Sequence, residues 1–191
     1  MTRFFRTLAL AVSLSLVSSL ALAGPATDYV RSRQTTLQEM LRKNDKKVGE
    51  TFDQMLDYDA MAQESLGSEW AARSDAEKAE FTDLLKKLVR KSYEKNLRKT
   101  LNFNVEFVAE EAAGGKTIVR TKNTNKAKPS DEPLRLDYRL ADKGGGNFKI
   151  DDIITEDVSL VGSYRSQFVK VVKKDGFPAL IKKMKDRLAK E

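Results

Sequence analysis

Four carboxylates in the last quarter of the chain are the side chains best placed to do chemistry. Asp151, Asp152, Glu156 and Asp157 fall within one short segment, and such a density of oxygen ligands could bind a divalent cation or transfer protons. Successive side chains on a strand point to opposite faces, which separates Asp151 from Asp152. The pattern therefore favours a solvated strand end with one buried, hydrogen-bonded aspartate over a metal or acid-base site.

Three consecutive glycines, Gly144 to Gly146, are the second pattern with a chemical interpretation. Glycine-rich loops bind phosphate when they lead into a helix whose first amides face the anion. Here the glycines join two stretches that have the alternating pattern of strands, and they open no helix. We therefore predict a hairpin turn at this position.

Missing residue types exclude more chemistry than these patterns suggest. The 191 residues include no histidine and no cysteine, so Ser-His-Asp and Cys-His nucleophiles, His or Cys zinc sites, thiol redox pairs and disulfides are excluded. An enzyme would depend on carboxylate, tyrosine, lysine or serine groups, and the sequence contains no recognisable constellation of them. We predict that the protein is not an enzyme and that it has no catalytic residues, no metal and no cofactor.

The first 23 residues have the pattern of a secretory signal peptide. Two arginines give a basic start, residues 8–20 form an apolar run, and Ala21-Leu22-Ala23 provides a small-residue cleavage site. The run of about 13 apolar residues is shorter than the roughly 20 needed to span a bilayer. Because no cysteine is present to accept a lipid, a lipoprotein anchor is excluded as well. We predict a signal peptide over residues 1–23 and one exported domain over residues 24–191.

Apolar residues recur at helical spacing on both sides of the middle of this domain. Asp57, Ser74 and Ser159 are candidate N-caps, and Ser74 forms a capping box with Glu77. The predicted helices cover about residues 25–44, 48–56, 58–66, 75–99, 160–174 and 178–188.

Between the two helical regions, the apolar spacing changes to the period of two that is typical of strands. Four strands are predicted over residues 103–107, 116–122, 134–140 and 147–155. Short turns between most of them imply an antiparallel meander. The predicted fold class is therefore α+β, with a sheet of about four strands between N-terminal and C-terminal helices.

Basic residues crowd the C-terminal helices, and the formal net charge of the chain is +7. They are Lys173, Lys174, Lys182, Lys183, Lys185, Arg187 and Lys190. A solvated helical face explains them, and a patch for anionic lipid headgroups or for an acidic partner surface is the alternative. A charge of this size is weak evidence for nucleic acid, and we predict no nucleic-acid partner.

The segment over residues 147–168 resembles the signature of the MlaC family, a family of periplasmic phospholipid-binding proteins that are auxiliary components of an ABC transport system for toluene tolerance. The family pattern ends in Tyr-Arg-Ser-Gln-Phe, which is present at residues 164–168. Phe148 and Asp157 replace the tryptophan and glycine usual in the family. Further matching positions are Phe52, Asp57, Met61, Leu66, Gly67, Trp70, Phe81, Tyr93, Asp152, Glu156, Ser159 and Leu160.

This resemblance implies a curved antiparallel sheet packed with helices around an apolar pocket, similar to the nuclear-transport-factor shape. It also implies a soluble, monomeric periplasmic carrier that binds glycerophospholipid tails in the pocket. Such a carrier shuttles lipid between an outer-membrane lipoprotein complex and an inner-membrane ABC transporter complex, which maintains outer-membrane lipid asymmetry. The phospholipid would be cargo rather than a cofactor.

The candidate lipid-binding residues are large apolar and aromatic side chains of the predicted helices and sheet. They are Trp70, Phe81, Leu84, Leu88, Tyr93, Val105, Phe107, Leu136, Tyr138, Phe148, Ile150, Tyr164 and Phe168. On this basis Phe168→Asp is expected to abolish lipid binding. Arg165 is expected to pair with Asp152 or Glu156 as structural support.

Two other functions stay open on the sequence alone. A periplasmic adaptor would bind only proteins, through its basic C-terminal helices, and would have a filled core. An enzyme on the same scaffold would have polar groups that converge inside the fold. The volume of the interior distinguishes carrier from adaptor, because a lipid site needs several hundred Å³ of apolar space.

Overall fold

Residues 24–190 form an α+β structure in which a five-stranded sheet packs with helices from both ends of the chain. The computed structural model describes these residues, except for the side chains of Lys95 and Leu97. The helices are α1 (Pro25–Arg42), α2 (Val48–Met55), α3 (Tyr58–Leu66), a short 3-10 helix (Gly67–Glu69), α4 (Asp75–Thr100), α5 (Leu160–Asp175) and α6 (Phe177–Lys190). The predicted signal peptide lies outside the described residues and stays a prediction.

The sheet is an open antiparallel meander, as the alternating pattern predicts. Its strands are β1 (Phe103–Ala113), β2 (Lys116–Asn125), β3 (Leu134–Asp142), β4 (Phe148–Thr155) and β5 (Val158–Ser159), in that order across the sheet. The sequence does not predict β5, because two residues are too few to show alternation. The Gly144–Gly146 run lies between β3 and β4, and all three glycines have positive φ, which confirms a turn.

Side-chain caps determine where three helices begin. The Glu77 carboxylate accepts a hydrogen bond from the Ser74 amide at 2.8 Å, and the Ser74 hydroxyl accepts one from the Glu77 amide at 3.3 Å, which confirms the capping box before α4. Asp57 caps α3 and Ser159 caps α5 in the predicted way. Because each cap satisfies amides that the helix itself leaves unpaired, the starts of these helices are encoded locally.

A bulge in β4 changes the arrangement predicted for its two aspartates. Arg139 of β3 lies opposite Asp152, while the next residue, Leu140, lies opposite Ile150, so Asp151 is the extra residue. Both aspartates are buried, with 0% and 1% of their surface exposed. Glu156 and Asp157 are exposed, as expected of a solvated strand end. The prediction that only one of the two strand aspartates is buried is wrong, because simple alternation fails at a bulge.

The buried aspartates belong to an ionic cluster that ties the sheet to α3 and α5. Arg139 donates from Nε to Asp151 at 2.7 Å and makes a two-pronged contact with Glu64 of α3. Lys116 Nζ lies 2.5 Å from the second Asp151 oxygen. Asp152 accepts hydrogen bonds from the Ser159 hydroxyl and from the amide of Val161. Cations and hydrogen-bond donors already surround these carboxylates, so the cluster has a structural role. Within residues 24–190, no group of residues suited to a metal ion is found.

Candidate functional site

A pocket with a volume of about 290 Å³ lies between the sheet and helices α1, α2, α4 and α5. Its apolar and aromatic walls are Leu37, Phe52, Met55, Val89, Tyr93, Val105, Leu136, Tyr138, Ile150, Ile153, Leu160 and Tyr164. Its polar lining residues are Gln34, Gln38, Ser92, Asn96, Thr100, Asn123 and Thr155. None of these lining side chains is charged. The volume is just below the roughly 300–1,000 Å³ typical of small-molecule sites, and it is smaller than the several hundred Å³ expected of a lipid site.

Helix α4 supplies both kinds of lining residue through two neighbouring stripes. The apolar stripe contains Val89 and Tyr93, which are four residues apart. The polar stripe contains Ser92, Asn96 and Thr100, which are also four residues apart. Residues four apart lie on the same face of a helix, so each set forms a continuous row. Val89 is buried whereas Ser92 and Asn96 are exposed. The polar row therefore marks the opening of the pocket, and the apolar row marks its interior.

The bulge in β4 shapes the opposite wall. Ile150 and Ile153 are three residues apart and would point to opposite faces of a regular strand. Because Asp151 is an extra residue, Ile150 lies opposite Leu140 and Ile153 lies opposite Tyr138, and both isoleucines line the pocket. The same irregularity thus buries a carboxylate in the ionic cluster and adds an apolar side chain to the pocket wall.

Two tyrosines in the wall are held in their neutral form. Gln34 Nε2 donates a 2.7 Å hydrogen bond to the Tyr138 hydroxyl, and burial raises the pKa of Tyr138 to about 12 although this hydrogen bond opposes the shift. The Tyr93 ring stacks on Phe52, with 3.3 Å between ring centroids and 5° between their planes. Burial raises the pKa of Tyr93 as well. The pocket wall therefore stays uncharged across the neutral pH range.

We expect the free energy of unfolding to fall as the pH rises above about 10. An unfolded tyrosine has a pKa of about 10, and folding raises the pKa of Tyr58, Tyr93 and Tyr138. The unfolded chain thus loses these protons first, so the stabilisation is complete below pH 10 and is lost as the pH passes through the folded pKa values. Urea midpoints measured between about pH 8 and pH 11 test this, and Tyr138→Phe should weaken the dependence. A constant midpoint over this range would contradict it.

Family and structural comparisons agree with this architecture. Residues 22–186 match the family described as MlaC protein. The chain belongs to the MlaC family. A phospholipid-binding protein from Ralstonia solanacearum, whose structure was solved in complex with a phospholipid, resembles this MlaC-family fold with a TM-score of 0.71 and 24% sequence identity. The match covers 87% of this chain and 96% of the Ralstonia chain. No curated protein sequence is significantly similar.

Six of the thirteen candidate lipid-binding residues of this MlaC-family chain line the pocket. They are Tyr93, Val105, Leu136, Tyr138, Ile150 and Tyr164. Two others lie partly buried elsewhere: the Trp70 ring contacts Lys78, and the Phe107 ring lies 4.8 Å from the Arg31 guanidinium. The remaining five are buried in the core beside the pocket: Phe81, Leu84, Leu88, Phe148 and Phe168.

The packing of Phe168 changes the interpretation of the substitution expected to abolish lipid binding. Its ring stacks on Tyr164 at 5.1 Å between centroids and meets Phe81 edge to face at 5.6 Å. Only 7% of its surface is exposed, and it does not line the pocket. Phe168→Asp would place a carboxylate in the core, so it would test folding rather than lipid binding.

Arg165 does not have the role predicted for it. The residue is exposed, and its guanidinium lies against Gly67 at the start of the 3-10 helix. Asp152 is satisfied by Ser159 and Val161, and Glu156 pairs with Arg135 of β3. Arg165 is on α5, which begins after β5 and so leads away from the end of β4. Its contact is with the 3-10 helix instead.

The sequence analysis missed the polar residues of the lining. Gln34 and Gln38 are four residues apart on α1, in the same way as Ser92, Asn96 and Thr100 on α4. Each row borders the apolar stripe of its helix. Ser32 and Thr36 of α1 are also uncharged, exposed and four residues apart, but they do not line the pocket, so this spacing alone does not predict the polar opening.

Proposed function

We propose that this MlaC-family protein is a lipid carrier that holds a glycerophospholipid with its acyl tails in the pocket. One observation carries the proposal: apolar side chains from the sheet and from four helices converge on a space without a charged lining residue, and the polar residues that are exposed lie at its opening. A filled-core adaptor would not need such a space. An enzyme would need polar groups converging on its interior rather than at the opening.

Acyl chains suit this pocket energetically. Each buried methylene contributes about 0.8 kcal/mol, so tail burial provides ample binding energy and no ionic contact with the headgroup is needed. Two complete tails require more volume than the pocket has, and we propose that α1 and α4 move away from the sheet when lipid enters. The neutral amide and hydroxyl groups at the opening can donate hydrogen bonds to ester and phosphate oxygens there.

The predicted signal peptide and the family support the cellular role that we propose. The predicted signal peptide directs the protein to the periplasm, where a soluble monomeric carrier exchanges lipid with an inner-membrane ABC transporter complex and an outer-membrane lipoprotein complex. This exchange maintains the lipid asymmetry of the outer membrane. Within the described residues, no helix has the length and apolar character needed to cross a bilayer. The carrier function can be tested on the purified protein, because lipid binding in the pocket requires neither partner complex.

Native mass spectrometry of protein purified from a periplasmic extract without detergent tests the proposal. We expect one phospholipid for each chain, identified after denaturation, and an N-terminus at Gly24 if the signal peptide is removed as predicted. A lipid-free protein that also takes up no lipid from vesicles would contradict the carrier function. That result would favour the adaptor that binds only proteins.

A further inference from the structure

Two large apolar side chains are exposed close to the opening of the pocket. Leu134 is 37% exposed and Val158 is 60% exposed, and they are the exposed large hydrophobic residues of the described chain. Leu134 pairs with Asn123, and Val158 pairs with Thr155. Because Asn123 and Thr155 both line the pocket, each exposed side chain is one strand away from a lining residue. Isolated exposed apolar residues are common, but here they coincide with an opening.

Basic side chains surround the same end of the sheet and helices. We call them the basic rim: Arg42, Lys43, Lys46, Lys47, Arg98, Lys99, Lys126 and Lys128. All eight are exposed. In the segments 42–47, 98–99 and 126–128 that contain them, Asp45 is the one acidic residue. These three segments therefore carry a net charge of +7, and the exposed acids Asp131 and Glu132 lie between the third segment and Leu134.

Hydrogen bonds tie the three segments of the basic rim to each other and to the pocket. Arg98 donates to the Asn44 side chain at 2.9 Å, which joins the end of α4 to the turn after α1. Lys126 donates from its ammonium group to the Leu101 carbonyl at 2.7 Å, which joins the end of β2 to the end of α4. Lys99 donates to Asn96 at 3.0 Å, and Asn96 lines the pocket. The rim thus borders the opening.

The acidic residues nearest to Val158 are paired with an arginine. Asp157 lies 2.6 Å from the Arg135 guanidinium, and Glu156 contacts the same group at 3.4 Å. One arginine offsets one of these two negative charges, so a net charge of about −1 remains beside Val158, against +7 in the three segments of the basic rim. Flexible cationic side chains around a few exposed apolar ones are typical of surfaces that bind an anionic lipid interface.

We propose that the protein docks the opening of its pocket on an anionic bilayer surface. The basic rim would lie over the lipid phosphates, and Leu134 and Val158 would enter the interface beside the opening. An acidic protein partner with an apolar patch is the alternative, and binding to protein-free vesicles distinguishes the two. The inference rests on the proposed carrier function, because a lipid that leaves the pocket needs a short apolar path to the bilayer interior.

Vesicle co-sedimentation with protein from a periplasmic extract tests the docking surface. The vesicles contain phosphatidylethanolamine with either phosphatidylglycerol or phosphatidylcholine, so that they differ in surface charge. A rim variant replaces Lys43, Lys46, Lys99 and Lys126 with glutamine. The matched control replaces Lys173, Lys174, Lys182 and Lys183 with glutamine. These four lysines are also exposed, so the control variant loses the same positive charge as the rim variant. Lys173 lies thirteen residues along α5 from Leu160 of the pocket, or about 20 Å at the helical rise per residue.

We expect binding to anionic vesicles that weakens with salt, a loss of at least tenfold in the rim variant, and a change of less than about twofold in the control. Leu134→Ser combined with Val158→Ser should weaken binding without changing its salt dependence. Equal binding to both vesicle types, equal losses in the two lysine variants, or no vesicle binding overturns the inference. Native mass spectrometry of each variant separates the two proposals: lipid-loaded protein that ignores vesicles contradicts docking alone, and empty protein contradicts the carrier function.

Discussion

Ile153→Asp should abolish copurification of phospholipid and weaken lipid binding by at least about a hundredfold. Ile153 lines the pocket opposite Tyr138, so an aspartate there would have to lose its hydration against an acyl chain or be protonated. Either cost amounts to several kcal/mol, and a hundredfold change in affinity corresponds to about 3 kcal/mol. Native mass spectrometry gives the lipid content, and transfer of a labelled phospholipid from vesicles gives the affinity.

The adjacent position on the same strand provides a matched control. Ile154 is partly buried like Ile153 but does not line the pocket. It pairs with Asp137 of β3, so Ile154→Asp adds a carboxylate to an acidic neighbour and is a demanding test of folding. We expect this variant to keep its lipid. If both variants lose lipid equally while staying folded, the effect does not come from the pocket wall.

Arg139→Leu should lower the free energy of unfolding by about 3–5 kcal/mol, because removing one partner leaves buried charges without compensation. Arg139 bridges Glu64 of α3 and Asp151 of β4, and 1% of the Asp151 side chain is exposed. These carboxylates raise the pKa of Arg139 despite its partial burial, so they favour its charged form. Urea unfolding monitored by circular dichroism measures the change, provided that the slope of the transition is similar in both proteins.

Arg135→Leu is the control on the same strand. Arg135 pairs with Glu156 and Asp157, but about half of its side chain and of Glu156 is exposed, and exposed pairs of this kind contribute little to stability. We expect a much smaller change in the urea midpoint than for Arg139→Leu. Equal effects of the two substitutions would show that burial of the ionic cluster does not determine its contribution.

The sequence predicted much of the fold because its signals are local. The caps at Asp57, Ser74 and Ser159 stand where the helices begin, since a cap needs only residues within one helical turn. Alternation predicted the four longer strands and the meander for a similar reason. It failed at Asp151, because a bulge is a mismatch between two strands, and neither strand shows it by itself.

The pocket was only half predictable. Tyr93, Tyr138 and Tyr164 line it, whereas Phe81 and Phe168 of the same predicted apolar set fill the core beside it. Both groups are aromatic residues of the same periodic apolar pattern, so spacing cannot separate them. Phe81 packs against Phe168 of α5 and Phe177 of α6, so contacts between helices decide which of these rings fill the core.

The sequence by itself determined the α+β class, the starts of the helices, membership of the apolar set, and the exclusion of histidine and cysteine chemistry. The tertiary structure alone decided which apolar residues surround an empty space, that Asp151 and Asp152 are both buried around Arg139, and that the basic rim lies at the opening. Composition and spacing act within one element and can be read along the chain. A cavity, an ionic cluster and a surface field arise between elements, so they depend on packing distances that no single segment specifies.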